Sequence, residues 1–129
     1  MNSDAINIAV AKECGWTGIR EGQYADGGTD IFGIPPGAED ERPIPDYCHD
    51  LNAAMAAARE LLPNGNIDIE LYDKDFGSQI IIQWDGSTDE TYINKSFIKD
   101  LSALPAFICE AILQANGVTV DSNPEGGGK

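Results

Sequence analysis

The chain has 129 residues, of which 22 are acidic and 8 basic, for a formal charge of −14. That length holds one domain whose core needs neither disulfides nor metal. The charge argues against direct binding to nucleic acid or to an anionic membrane, because both need clustered lysine and arginine.

The first residues, MNSDAINIAV, lack the basic and long apolar regions of a leader, and no apolar run approaches membrane-spanning length, so a cytosolic protein is expected. Ser3 to Cys14 reads as a helix. Asn2 or Ser3 caps it, Ile6, Val10 and Cys14 share one face, and Gly15 ends it. Trp16 follows directly, with core packing as its first reading and ligand stacking as its second.

Residues 17 to 45 hold two short strand patterns, TGIREG and TDIFGI, joined across Ala25-Asp26-Gly27-Gly28, and a hairpin is predicted in preference to a long loop. The acidic run AEDER contains Glu39, Asp40 and Glu41, which serve either as a solvated surface or as a charged docking surface.

Pro45 to Pro63 forms the second predicted helix, with Asp46 as N-cap, Asp50 near the positive end of the macrodipole, and Asn64-Gly65 beyond its end. Tyr47, Leu51, Met55, Ala58 and Leu62 make its apolar stripe. Ala53, Ala56 and Ala57 occupy the opposite face, where a second backbone could approach closely, and a homodimer through them is expected. Asn52, a mediocre helix former, has no structural explanation in this reading, whereas Asp50 has the macrodipole.

In NIDIELYD, Ile67, Ile69 and Leu71 alternate with Asp68, Glu70 and Tyr72, the pattern of a half-buried strand. SQIIIQWD places Ile80, Ile82 and Trp84 on one face and Ile81 on the other, as expected of a central strand. TYIN, Thr91 to Asn94, completes an antiparallel meander. Leu101 to Asn116 is the last helix, capped by Ser102, with Pro105 in its first turn and apolar residues on both faces, so its far side should be covered. A single domain over 1–118 and a disordered tail over 119–129 complete the expected organisation.

No catalytic constellation stands out. Cys48 and His49 adjoin but point about 100° apart on a helix, and no third group orients them. Cys14, Cys48 and Cys109 are odd in number and far apart, matching neither a disulfide framework nor a CxxC pattern, so buried thiols in a reducing compartment are expected. Asp73, Asp75, Asp85, Asp89 and Glu90 could gather around a divalent cation, but ordinary turn chemistry explains them first, and no metal or other cofactor is expected. Gly-rich phosphate cradles are absent.

INIAVAKECGWTGIR, GIPPG, PDYCHDLNAAMAAARELL and SALPAFICEAILQANG resemble, in that order, segments of the phage ABA sandwich domain proteins, small phage and prophage proteins. The resemblance spans roughly Ile6 to Gly117. It implies an α/β/α sandwich, an antiparallel sheet with helices on both faces, and a phage accessory protein without a settled activity. A His-containing continuation after the DLNA-like motif is replaced here by Met55 and an alanine run, so a site built on it would be missing.

Phage likeness, an acidic body and the absence of a catalytic set lead to a non-enzymatic binding protein acting in the host cytoplasm against host immunity. Its expected partner is a defence protein met by Glu39, Asp40, Glu41, Asp68 and Glu70. The alternatives are a sponge for a nucleotide immune signal, with Trp16 or Tyr47 stacking the base and Arg20, Arg42, Arg59 or Lys95 holding the phosphates, and a virion or assembly component.

Overall fold

The computed structural model describes residues 3–74, 77–86, 93–98 and 101–118. Helix α1 (Ser3–Glu13) buries Ile6, Val10 and Ala11. Gly15, at φ +96°, reverses the chain: its N–H donates to Lys12 O and that of Trp16 to Ala11 O, the paired bonds of a Schellman end.

The predicted hairpin is present as β1 (Thr17–Gln23) and β2 (Thr29–Ile34), and β3 (Arg42–Pro43) adds to β2 to give a three-stranded sheet. The Gly33 Cα lies close to Trp16 and Ile19, so the indole packs on β2, in accord with its first reading.

Helix α2 (Leu51–Leu61) starts later than the sequence suggests. Asp50, not Asp46, is the N-cap and accepts from the Ala53 N–H at 3.2 Å. Asp46 is engaged elsewhere, and residues 46–50 form a turn closed by the His49 and Asp50 amides on Asp46 O. Within α2 the buried face is Ala54, Ala57 and Ala58; of the predicted stripe Tyr47, Ala58 and Leu62 are buried, Met55 is half-buried and Leu51 is 45% exposed. Small side chains let α2 lie close along α3, so part of the alanine face expected to meet another chain is used within this one.

A 3₁₀ turn (Pro63–Gly65) leads into β4 (Ile67–Lys74), β5 (Gly77–Trp84) and β6 (Ile93–Ile98), an antiparallel sheet in the order β4-β5-β6 with β5 central as predicted. β6 runs past Asn94; the predicted Thr91 and Tyr92 lie outside the described residues, as does the tail from 119. Helix α3 (Leu104–Ala115) follows a 3₁₀ turn at Leu101–Ala103. Ser102 lies in that turn, and Ala103 takes the cap position without a side-chain bond, because Pro105 already removes one of the amides a cap would serve.

The chain is a mixed α+β fold of helices layered with antiparallel sheets, as expected. α3 is its hub. It packs on β5 and β6 and also against α1 and α2, which is why Ile108, Cys109, Ala111, Ile112 and Leu113 are all buried. Ile80 and Ile82 lie fully buried in the same core, with Trp84 and Ile93. Residues of the opposite strand parity, Asp68, Glu70, Tyr72, Gln79, Ile81 and Gln83, form the other face of this sheet, where Ile81 is half-buried among polar neighbours.

Candidate functional site

Strand alternation fixes where the acidic groups of β4 point. With Ile67 and Ile69 half-buried, Asp68 is exposed on the outer face and Glu70 is half-buried beside it. The Tyr72 hydroxyl donates to Glu70 Oε1, which pushes the phenol above its ordinary pKa. Asp68 also lines an open depression of about 410 Å³ with Asn66, Gln83, Trp84 and Asp85. Asp85 accepts from Asn64 Nδ2 at 2.8 Å and Asn66 Nδ2 at 3.1 Å, and these bonds hold its carboxyl below the usual range. It ties the 63–66 turn to the end of β5, which supports the turn reading of this aspartate. Asp75, Asp89 and Glu90 lie outside the described residues, and among those described no group of three His, Cys, Asp or Glu is placed to hold a metal.

Glu39, Asp40 and Glu41 are exposed between β2 and β3. Arg20 clamps Glu41, donating from Nε to Oε2 at 2.8 Å and from Nη2 to Oε1 at 2.6 Å, so the carboxyl is lowered and the guanidinium raised. The five acidic residues of the sequence reading therefore divide between the loop joining β2 to β3 and the strand β4, and Glu41 already has its cation.

Trp16 and Tyr47 are brought together. They line a groove of about 230 Å³ with Cys14, Pro36, Pro45 and the Ala53, Ala56 and Ala57 face of α2, where Ala57 is buried and only Ala56 is exposed. Tyr47 is buried and shares a hydrogen bond with the Cys14 thiol; burial first, then that thiol, pushes its phenol well above its ordinary value. Burial likewise raises Cys14. Among the described residues no arginine or lysine lines the groove, whose charged member is Glu60. Arg20 is held by Glu41, and Lys95 pairs with Glu110 at 3.2 Å. Asp50 is accounted for as the N-cap, and Asn52 is exposed on the first turn of α2 outside the groove.

Cys48 and His49 diverge. The thiol is buried against Cys109 and lies 3.7 Å from Ser3 O, whereas the imidazole is exposed with Nδ1 3.0 Å from both Asp46 oxygens. Hydrogen bonding to Cys48, then burial, pushes Cys109 far up, so it remains a thiol. Contact between Cys48 and Cys109 is something spacing does not reveal.

Asn7 was not singled out by sequence reasoning. At 7% exposure it is the buried polar residue among those described, donating to Asp46 Oδ1 at 3.0 Å and accepting from the Cys48 N–H at 3.0 Å. A signal was present: an asparagine beside Ile6 and three residues before Val10 sits on the core face of α1.

The Asp46–His49 pair has a definite pH window. Burial raises Asp46, but hydrogen bonds from His49 and Asn7 outweigh it and the net direction is down; the same carboxylate raises His49. The histidine contribution is complete below the ordinary imidazole value of about 6.5 and is lost as pH rises through the raised one. The aspartate contribution is complete above about 3.9 and is lost as pH falls through the lowered one. Imidazole proton resonances should titrate above about 6.5 in the wild type and move back toward that value in Asp46→Asn. An unchanged midpoint in the variant would show that the pair does not form.

Among the described residues no helix is long and apolar enough to cross a membrane. Comparison of the chain with protein-family models, with curated proteins and with solved structures gives no match in any of the three.

Proposed function

We propose that this chain is a non-enzymatic binding protein of phage origin that blocks a basic, nucleic-acid-handling host defence protein through its carboxylates. The observation that carries the reading is the outer face of β4, where Asp68 lines an open depression that also holds Asp85, and Glu70 follows on the same face. A formal charge of −14 extends that field over the whole molecule and steers it toward a cationic groove. The phage assignment rests on the sequence resemblance alone. Burial of Cys48 and engagement of His49 by Asp46 support a binding rather than a nucleophilic role.

Native mass spectrometry of the protein isolated gently from infected, defence-active cells tests this. A protein-sized partner is expected, with a dissociation constant rising about tenfold or more between low and high salt as exposed charges are screened. A salt-independent complex, or the protein alone, overturns the reading.

The groove at Trp16 and Tyr47 favours a second reading, a sponge for a nucleotide signal, in which the aromatic rings hold the base. It ranks below the first because, among the described residues, the groove has no cation to hold a phosphate. A small mass released on denaturation would promote it.

A further inference from the structure

We propose that the free edge of β4 accepts an extended segment of the partner as an additional strand, and that this segment alternates lysine or arginine with apolar residues. The inference rests on the acidic-surface reading above and gives it a docking mode.

β4 is the outer strand of its sheet, and among the described residues nothing pairs with its second edge. An edge strand presents a row of unpaired N–H and C=O groups, which proteins ordinarily blunt with proline, a bulge, a very short strand or charged side chains. β4 has only the last of these, in Asp68, Glu70, Asp73 and Lys74. It runs for 8 residues without proline or glycine, and its register with β5 is continuous from Ile67 to Lys74. The β1–β2 and β5–β6 pairings, by contrast, each carry a register shift. Leu71 and Tyr72, one on each side of the strand, are 52% and 45% exposed.

The side chains along this edge select the occupant. One side offers Ile67, Ile69 and Leu71; the other offers Asp68, Glu70 and Tyr72. An added strand places alternate residues against each set, so one parity meets apolar surface and the other meets two carboxylates. A second copy of β4 is the poorer occupant, because antiparallel self-pairing centred on Ile69 or Glu70 sets the carboxylates of Asp68 and Glu70 against their own kind. The two acidic residues thus guard the edge against itself and open it to a basic strand.

The test uses the full ¹⁵N-labelled chain and three synthetic heptapeptides: alternating lysine and valine, alternating glutamate and valine, and the lysine peptide with its central residue replaced by proline. The lysine peptide should bind and slow amide exchange specifically over residues 67–73. The glutamate peptide should not bind, and the proline peptide, equally able to lie extended but unable to complete the ladder, should bind at least about tenfold more weakly. Asp68→Lys with Glu70→Lys should weaken the lysine peptide by a similar factor while amide spectra report an intact sheet.

Equal binding of the proline peptide, or no change in β4 exchange, overturns the inference. So does a dimer of the chain alone with protected β4 amides. The outcomes separate the two levels: a salt-dependent partner complex without β4 protection leaves the acidic-surface reading standing and removes the edge. A salt-independent complex removes the reading itself.

Discussion

Ile112→Ala is expected to lower the free energy of unfolding by about 3–5 kcal/mol, the upper part of the range for truncating a buried aliphatic side chain. Ile112 is fully buried on α3, which is enclosed by β5 and β6 on one side and by α1 and α2 on the other. A cavity there closes only if the helix moves, and it cannot move toward one layer without leaving another. Since small domains have about 5–15 kcal/mol in total, this one change removes about a fifth of the margin or more. Urea unfolding of Ile112→Ala beside Leu51→Ala measures it. Leu51 lies on the exposed side of α2 and its truncation should cost no more than about 1 kcal/mol. Equal midpoints for the two variants would contradict the central position of α3.

Gly65→Ala should cost about 2–4 kcal/mol, combining a left-handed backbone with a collision. Gly65 has φ +67°, and a Cβ built on it falls 2.8 Å from the carbonyl oxygen of Arg59. That atom belongs to the backbone of α2 and cannot swing aside as a side chain would. Gly27→Ala is the matched control: φ is +93° and nothing lies within 4 Å, so only the conformational term of about 1–2 kcal/mol remains. Thermal unfolding of the two variants separates collision from strain. If both shift the midpoint equally, the close approach of Gly65 to α2 is not real.

Periodicity made the strands and α3 legible, because Ile80, Ile82 and Trp84 alternate cleanly and α3 is apolar on both sides. α2 was harder. In a helix of five alanines among eleven residues, the large side chains draw attention, yet the small ones mark the buried face where two backbones meet. Asp46 and Asp50 are equally good caps on paper; in the fold Asn7, far away in the chain, and His49 both engage the Asp46 carboxylate and leave the cap to Asp50. The candidate sites were half legible. Exposure of Asp68 follows from alternation, but the capture of Glu41 by Arg20 and the meeting of Trp16 with Tyr47 depend on tertiary placement. The open edge of β4 was equally hidden, since no residue type announces which strand of a meander lies outermost.

Asn116 donates from one amide nitrogen to Leu61 O at 3.1 Å and to Ile112 O at 2.8 Å, joining the ends of α2 and α3 across 55 positions of sequence. During synthesis α2 leaves the ribosome long before α3. Until then the side of α2 that packs on α3, and the Ile80–Ile82 face of the sheet, lack that helix as cover. The amino-terminal helix and hairpin can form early, but the nascent chain cannot complete its fold vectorially. Both layers can close only once α3 has emerged, and the surplus of carboxylates favours dispersal of the apolar surface uncovered until then.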